Sequence, residues 1–185
     1  MVGVLGGAFD PPHNGHVALV RAALEQLGLE RLEVLVAADP GHKDVAAPAD
    51  ARLRLTQAAF DGLPVVVELD RHARTVELLR ERRWQDPLFL IGADEFGDFL
   101  SWKEPEEVLE LARLGVATRP GYPPDRRHGV LARLAHPERV LYFEIPPVAV
   151  SSTDLRSRVA AGESIAGLVP PSVAQLVDEL GLYRR

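Results

Sequence analysis

Short apolar runs of strand length recur along the chain at Val2 to Leu5, Leu32 to Ala37, Val65 to Leu69, Pro87 to Ile91, Leu114 to Ala117 and Val140 to Phe143. Between several of them lie segments of helical period. Leu19, Ala22, Ala23, Gln26 and Leu27 follow the i, i+3, i+4 spacing, and Leu53, Thr56, Gln57 and Phe60, like Val108, Leu111 and Ala112, follow it in part. Near-continuous apolar strands alternating with helices imply βαβ units, a parallel sheet and helices on both of its faces. The expected fold is therefore α/β, a Rossmann-like doubly wound sheet. The C-terminal third, from Ser151, reads as two more helices separated by Gly162 and Pro170-Pro171, with Ser152 or Ser172 as N-caps.

In such sheets ligands sit outside the carboxyl ends of the strands, so the loops after strands are where chemistry is sought. The first of these loops carries Gly6-Gly7-Ala8-Phe9-Asp10-Pro11-Pro12-His13-Asn14-Gly15-His16, with a helical pattern starting near Gly15. It has neither the G-x-G-x-x-G of dinucleotide folds nor the Lys-Ser/Thr ending of a P-loop. Its glycines let main-chain amides approach a phosphate closely, and His13 and His16 flank the helix start, where ring N–H groups can donate to phosphate oxygens. The bland alternative is a Gly-Pro turn with exposed histidines.

Ser151-Ser152-Thr153 precedes a helix, and Arg156 lies one turn in. Hydroxyls, first-turn amides and a guanidinium at a helix N-terminus make a second anion grip, unless the stretch is only an N-cap with a solvated arginine. With the first loop it can hold the β- and γ-phosphates of a nucleoside triphosphate. Lys43 follows the second strand run and offers a point charge, and Arg119 follows the fifth and can hold an acceptor phosphate; either can equally be a surface residue. Asp94, after a strand and a glycine, can accept hydrogen bonds from ribose hydroxyls. Asp94 and Glu95 are adjacent and point apart, which disfavours a protein-held metal. Trp84 reads as packing only, and Trp102 either stacks on a ligand ring or belongs to the core.

At 185 residues the chain fits one domain spanning 1–185, able to bury about 70% of its unfolded surface without staples. Cysteine is absent, which excludes disulfides, thiolate nucleophiles and Cys-ligated zinc. A net charge of −6 disfavours nucleic-acid coating. No apolar stretch approaches the ~20 residues of a membrane span, and a cytoplasmic location is expected. A single asparagine and abundant Pro and Arg fit either heat adaptation or a GC-rich genome. A homo-oligomer is possible, and the sequence leaves it open.

The first loop resembles that of the nucleotidylyltransferase superfamily, which carries a nearly identical segment with an H-x-G-H core. Ile91-Gly92-Ala93-Asp94, Trp102, Arg119-Pro120-Gly121-Tyr122, Ser151 to Arg156 and the closing Gly181-Leu182-Tyr183-Arg184 together resemble the bacterial nicotinate mononucleotide adenylyltransferases over the whole chain. That resemblance implies transfer of the adenylyl group of ATP to nicotinate mononucleotide, giving deamido-NAD and pyrophosphate, with Mg2+ carried by ATP assisting. ATP would lie on Gly6, Gly7, Ala8, Phe9, His13, His16, Asp94, Ser151, Ser152, Thr153 and Arg156. His13, His16, Lys43 and Arg156 would be catalytic. The acceptor would lie against Lys43, Arg74, Thr75, Trp102 and Arg119.

The chain departs from the family in two places. His72-Ala73-Arg74-Thr75 replaces the usual Ser-Tyr-Thr, leaving Arg74 as an alternative carboxylate partner, and Pro146-Pro147-Val148 replaces an aromatic residue ahead of the serine clamp. Competing readings are transfer to nicotinamide mononucleotide, transfer to phosphopantetheine, and a nucleotide sensor without turnover. Removing His16 is expected to cost turnover and to leave folding little changed.

Overall fold

The computed structural model describes residues 1–41, 44–121 and 124–184. Strands β1 (Val2–Gly7), β2 (Arg31–Ala37), β3 (Val65–Asp70), β4 (Leu88–Gly92), β5 (Arg113–Thr118) and β6 (Val140–Glu144) form one 6-stranded sheet in the order β3-β2-β1-β4-β5-β6. Every pairing is parallel, with Val4 opposite Glu33 on one side of β1 and opposite Phe89 on the other. This is the doubly wound order, whose direction reverses between β1 and β4.

Between and beyond the strands lie α1 (Asn14–Gln26), α2 (Ala49–Ala59), α3 (Thr75–Arg82), α4 (Ala93–Gly97), α5 (Pro105–Leu111), α6 (Pro124–Leu131), α7 (Ser152–Ala160) and α8 (Pro171–Glu179). Successive strand side chains point to opposite faces, so each central strand feeds two cores. Leu5, Val34, Val36, Leu88 and Leu90 pack under α1, α2, α7 and α8 through Val20, Leu55, Leu155 and Val173. Val4, Leu35, Phe89, Ile91 and Val116 pack under α3, α4, α5 and α6 through Leu79, Phe96, Leu109 and Val130.

The strand runs read from sequence all appear within a residue or two of their expected ends. The cap of α7 differs from expectation. Ser151, not Ser152, is its N-cap, with Oγ accepting from the Asp154 amide at 3.1 Å, and Pro170 rather than Ser172 precedes α8. Ser152 is thereby free of capping work and reaches across the molecule.

Candidate active site

The loop leaving β1 is shaped by a close approach. A Cβ on Gly7 would lie 2.9 Å from the ring of Phe9, which is 3% exposed and packs edge-on to Phe60 at 6.4 Å. Phe9 takes a left-handed φ of 49°, turning the chain so that Asp10 points inward. Asp10 is 2% exposed, and its carboxylate accepts the amides of Ala46 and Ala47 at 2.6 and 3.1 Å and the hydroxyl of Tyr183 at 2.8 Å.

Below it the buried Arg52 of α2 donates to the main-chain oxygens of Ala8, Ala37, Ala38 and Ala47 at 2.7 to 3.1 Å. One guanidinium thus ties together the loops that follow β1 and β2. Burial holds its pKa below the ordinary arginine value, opposed by the neighbouring Asp10 charge.

His13 is the N-cap of α1, and His16 is its third helical residue. The amide of His13 donates to Nδ1 of His16 at 3.1 Å. An accepting Nδ1 means that the neutral His16 ring carries its proton on Nε2, the tautomer needed to donate to an anion. The two rings stack at 3.8 Å, and burial pushes the His13 pKa down to about 4, so the pair does not carry two adjacent positive charges at neutral pH.

The C-terminal third closes on this loop. Ser152 Oγ donates to the main-chain oxygen of Pro11 at 2.9 Å, and Arg156 Nη1 donates to that of Asp10 at 2.8 Å, with Arg156 Nη2 at 3.4 Å from Thr153 Oγ1. Asn14 donates through its amide and side chain to Leu168 and Gly167 at 3.0 and 2.8 Å. The start of α7 is therefore bonded to the glycine-histidine loop, with Ser152 on Pro11 and Arg156 on Asp10.

Asp94 stands exposed in the first turn of α4, immediately after β4, with the preceding Gly92 amide donating to Glu95 Oε2 at 2.8 Å. Because β4 neighbours β1, Asp94 and the first loop flank the reversal of strand order.

Trp102 lies on the opposite sheet face from α1, its ring 5.3 Å from Phe99 and 6.3 Å from Phe89, so it is held by the core while remaining part-exposed. Its neighbour Lys103 bonds Glu77 in the first turn of α3 at 3.1 Å. Glu77 is the third residue of α3, whose N-cap is Arg74 and whose first residue is Thr75. Arg74 is exposed and bonds the main-chain oxygen of its neighbour Ala73 through Nη1, at 2.9 Å. Just before them His72 bridges Asp70 at 2.6 Å and Glu81 at 3.0 Å, and the bonds to Glu81 and Asp70 raise its pKa. Arg119 follows β5, exposed on the same carboxyl edge. Lys43 lies outside the described residues. Among the described residues no group of three or more His, Asp or Glu side chains gathers to hold a metal, and no helix is long and apolar enough to cross a membrane.

Sequence patterns alone assign no role to Asp10, Arg52 or Tyr183. Asp10 sits inside the motif and Tyr183 inside the closing Gly-Leu-Tyr-Arg, so their positions carried a signal, whereas Arg52 looks like any arginine on a helix.

A doubly wound sheet in which the start of α7 closes on the loop after β1, at the reversal of strand order, is the frame of a nucleotide-binding α/β protein of the nucleotidyltransferase type. The profile of the cytidylyltransferase-like family matches residues 4–158. The chain is 38% identical over 196 residues to a probable nicotinate-nucleotide adenylyltransferase of Rubrobacter xylanophilus, covering 99% of this chain and 92% of that one. It is 40% identical over 193 residues to a protein of the same description from Thermus thermophilus, covering 99% of each. The chain belongs to the cytidylyltransferase-like family and, within it, to the nicotinate-nucleotide adenylyltransferases. The fold is also that of Plasmodium falciparum nicotinic acid mononucleotide adenylyltransferase complexed with NaAD, with a TM-score of 0.75 at 16% identity over 98% of this chain and 96% of that one. A putative nicotinate-nucleotide adenylyltransferase from Vibrio parahaemolyticus aligns with a TM-score of 0.68 at 22% identity, over 100% of this chain and 95% of that one.

Proposed function

We propose that this chain, acting as one nucleotidyltransferase unit over 1–185, transfers the adenylyl group of ATP to nicotinate mononucleotide and releases pyrophosphate. The observation that carries the reading is the closure of α7 on the first loop through Ser152 and Arg156. A phosphate oxygen of the acceptor attacks the α-phosphorus of ATP, a new O–P bond forms, and the bond to the β-phosphate oxygen breaks. The acceptor phosphate is already a competent nucleophile, so the protein's work is alignment of two anions and stabilisation of charge. His16, protonated on Nε2, donates to the α-phosphate with His13 beside it; Arg156, Thr153 and the amides of α7 take the leaving pyrophosphate, and Lys43 offsets the repulsion between the substrates.

Gly6, Gly7, Ala8 and Phe9 shape the loop against ATP, Ser151 holds the α7 cap, and Asp94 accepts from the ribose. Trp102 covers the pyridine ring, Arg74 and Thr75 meet its carboxylate, and Arg119 holds the acceptor phosphate. Mg2+ arrives on ATP and neutralises the phosphates. These substrates are charged small metabolites, which fits work in the cytoplasm. The deciding experiment is pyrophosphate release from MgATP with nicotinate mononucleotide, nicotinamide mononucleotide and phosphopantetheine as acceptors. Nicotinate mononucleotide should lead; no turnover with any of them would sink the reading.

A further inference from the structure

The carboxylate of Asp10 is a buried meeting point. It takes two amides from the segment after β2 and the hydroxyl of Tyr183, its main-chain oxygen takes Arg156 Nη1, and its Oδ2 lies 3.7 Å from the same guanidinium nitrogen. Tyr183 is brought there by the turn that ends α8, in which the Gly181 amide bonds Asp178 and the Leu182 amide bonds Val177 at 3.1 and 3.0 Å. It is held with a φ of 64°, a region that side chains seldom occupy unless their surroundings fix them. An ordinary C-terminal tyrosine would leave its hydroxyl in water. This one places it on the only carboxylate in the loop that grips phosphate.

We propose that Tyr183 is a positioning residue for adenylyl transfer: its hydroxyl fixes Asp10, and through Asp10 it seats Arg156 and the first loop against the ATP phosphates. Tyr183 touches no substrate; it acts by orienting groups that do. The inference rests on the adenylyltransferase reading, because it needs the triphosphate to lie where the two grips meet. A bond to a charged partner is worth enough for its loss to be felt as roughly tenfold in an equilibrium.

The test compares Tyr183→Phe with Ser172→Ala. The first removes only the hydroxyl. The second removes a different tie of the same C-terminal helix, the 2.9 Å bond from Ser172 Oγ to the main-chain oxygen of Ala58 on α2. MgATP affinity is read by calorimetry without acceptor, and kcat and acceptor KM by pyrophosphate release. Tyr183→Phe should weaken MgATP binding and lower kcat, each by about tenfold, with acceptor KM within about twofold of the parent, while Ser172→Ala keeps parental values. MgATP affinity and kcat within about twofold of the parent in Tyr183→Phe, or equal losses in both variants, would overturn the positioning role. Failure of the adenylyltransferase reading looks different: the unsubstituted protein would bind MgATP yet make no product from nicotinate mononucleotide, and the binding comparison would still decide the part played by Tyr183.

Discussion

Ser152 Oγ donates to the main-chain oxygen of Pro11 at 2.9 Å, although the two residues stand 141 positions apart. With Arg156 on Asp10, this contact joins a loop near one end of the sequence to the start of α7 near the other, the two elements that the proposed function sets around the triphosphate. In that reading each half contributes what the other lacks: the loop brings the imidazoles of His13 and His16, and α7 brings Arg156.

Ser152→Ala removes that tie and leaves the Ser151 cap of α7 intact. Stability should fall by about 1 kcal/mol, the usual net worth of one such bond, and MgATP affinity should drop several-fold as the helix tip drifts from the loop. Thermal unfolding and calorimetric titration read the two effects separately; unchanged affinity would show that the tie does not set the grip.

His16→Ala should lower turnover by about 10² to 10³, the size expected for removing one preorganised donor to developing charge. The variant should also lose some stability. His16 Nδ1 accepts the His13 amide, and losing that acceptor leaves a part-buried N–H unmatched, at a cost of about 1 to 3 kcal/mol. Steady-state rates well below the melting temperature isolate the chemical loss, and near-normal kcat there would remove His16 from the mechanism.

The buried imidazole of His13 links stability to acid. Its folded pKa of about 4 lies below the unfolded value of about 6.5, so the folded chain refuses a proton that the unfolded chain accepts between those limits. The contribution is complete above about pH 6.5 and shrinks as pH falls, being lost by about pH 4, with a span of at most about 3 kcal/mol. Urea unfolding of the parent and His13→Asn at pH 7 and pH 5 checks this: the variant should lose less stability between the two. Parallel losses would mean that His13 titrates normally.

His72 works with the opposite sign. Its bonds to Glu81 and Asp70 favour the protonated ring in the folded state, so its contribution is whole below about pH 6.5 and is lost as pH rises through the raised folded value. His72→Gln should therefore destabilise most in mild acid and least in alkali. A penalty independent of pH would assign His72 a packing role alone.

Much of this was legible in the chain because the informative residues are local. Strand runs such as Leu32 to Ala37 are buried on both faces and so read as unbroken apolar stretches, and the first loop announced itself by spacing. What escaped was carried by contacts between distant segments. Arg52 has the look of a solvated helix residue, yet it is buried because four carbonyl oxygens from two loops converge on it. Helix α3, with the sequence Thr75 to Arg82, is too charged to show a clear period and is held by Val76, Leu78 and Leu79 against the sheet. Trp84, read as packing alone, also donates to Glu33 Oε1 at 3.3 Å, a partner 51 positions away.

The proposed function makes acceptor choice depend on the segment His72 to Thr75. Arg74 caps α3 from an exposed position, and its Nη1 bonds the adjacent Ala73 oxygen, a contact easily exchanged for a carboxylate. Lys103, next to Trp102, bonds Glu77 on the same helix, and the proposed function sets the pyridine ring on Trp102 and its carboxylate on Arg74. A carboxylate forms an ion pair there, with two oxygens that can accept in parallel, whereas a neutral carboxamide offers one oxygen and no charge. Arg74→Ala should thus raise KM for nicotinate mononucleotide by about tenfold and leave nicotinamide mononucleotide unaffected, compressing the ratio of the two kcat/KM values by the same factor. Both acceptors measured side by side give that ratio directly. If it stays where the parent has it, the carboxylate is read elsewhere, and the main-chain amides opening α3 at Thr75 become the groups to test.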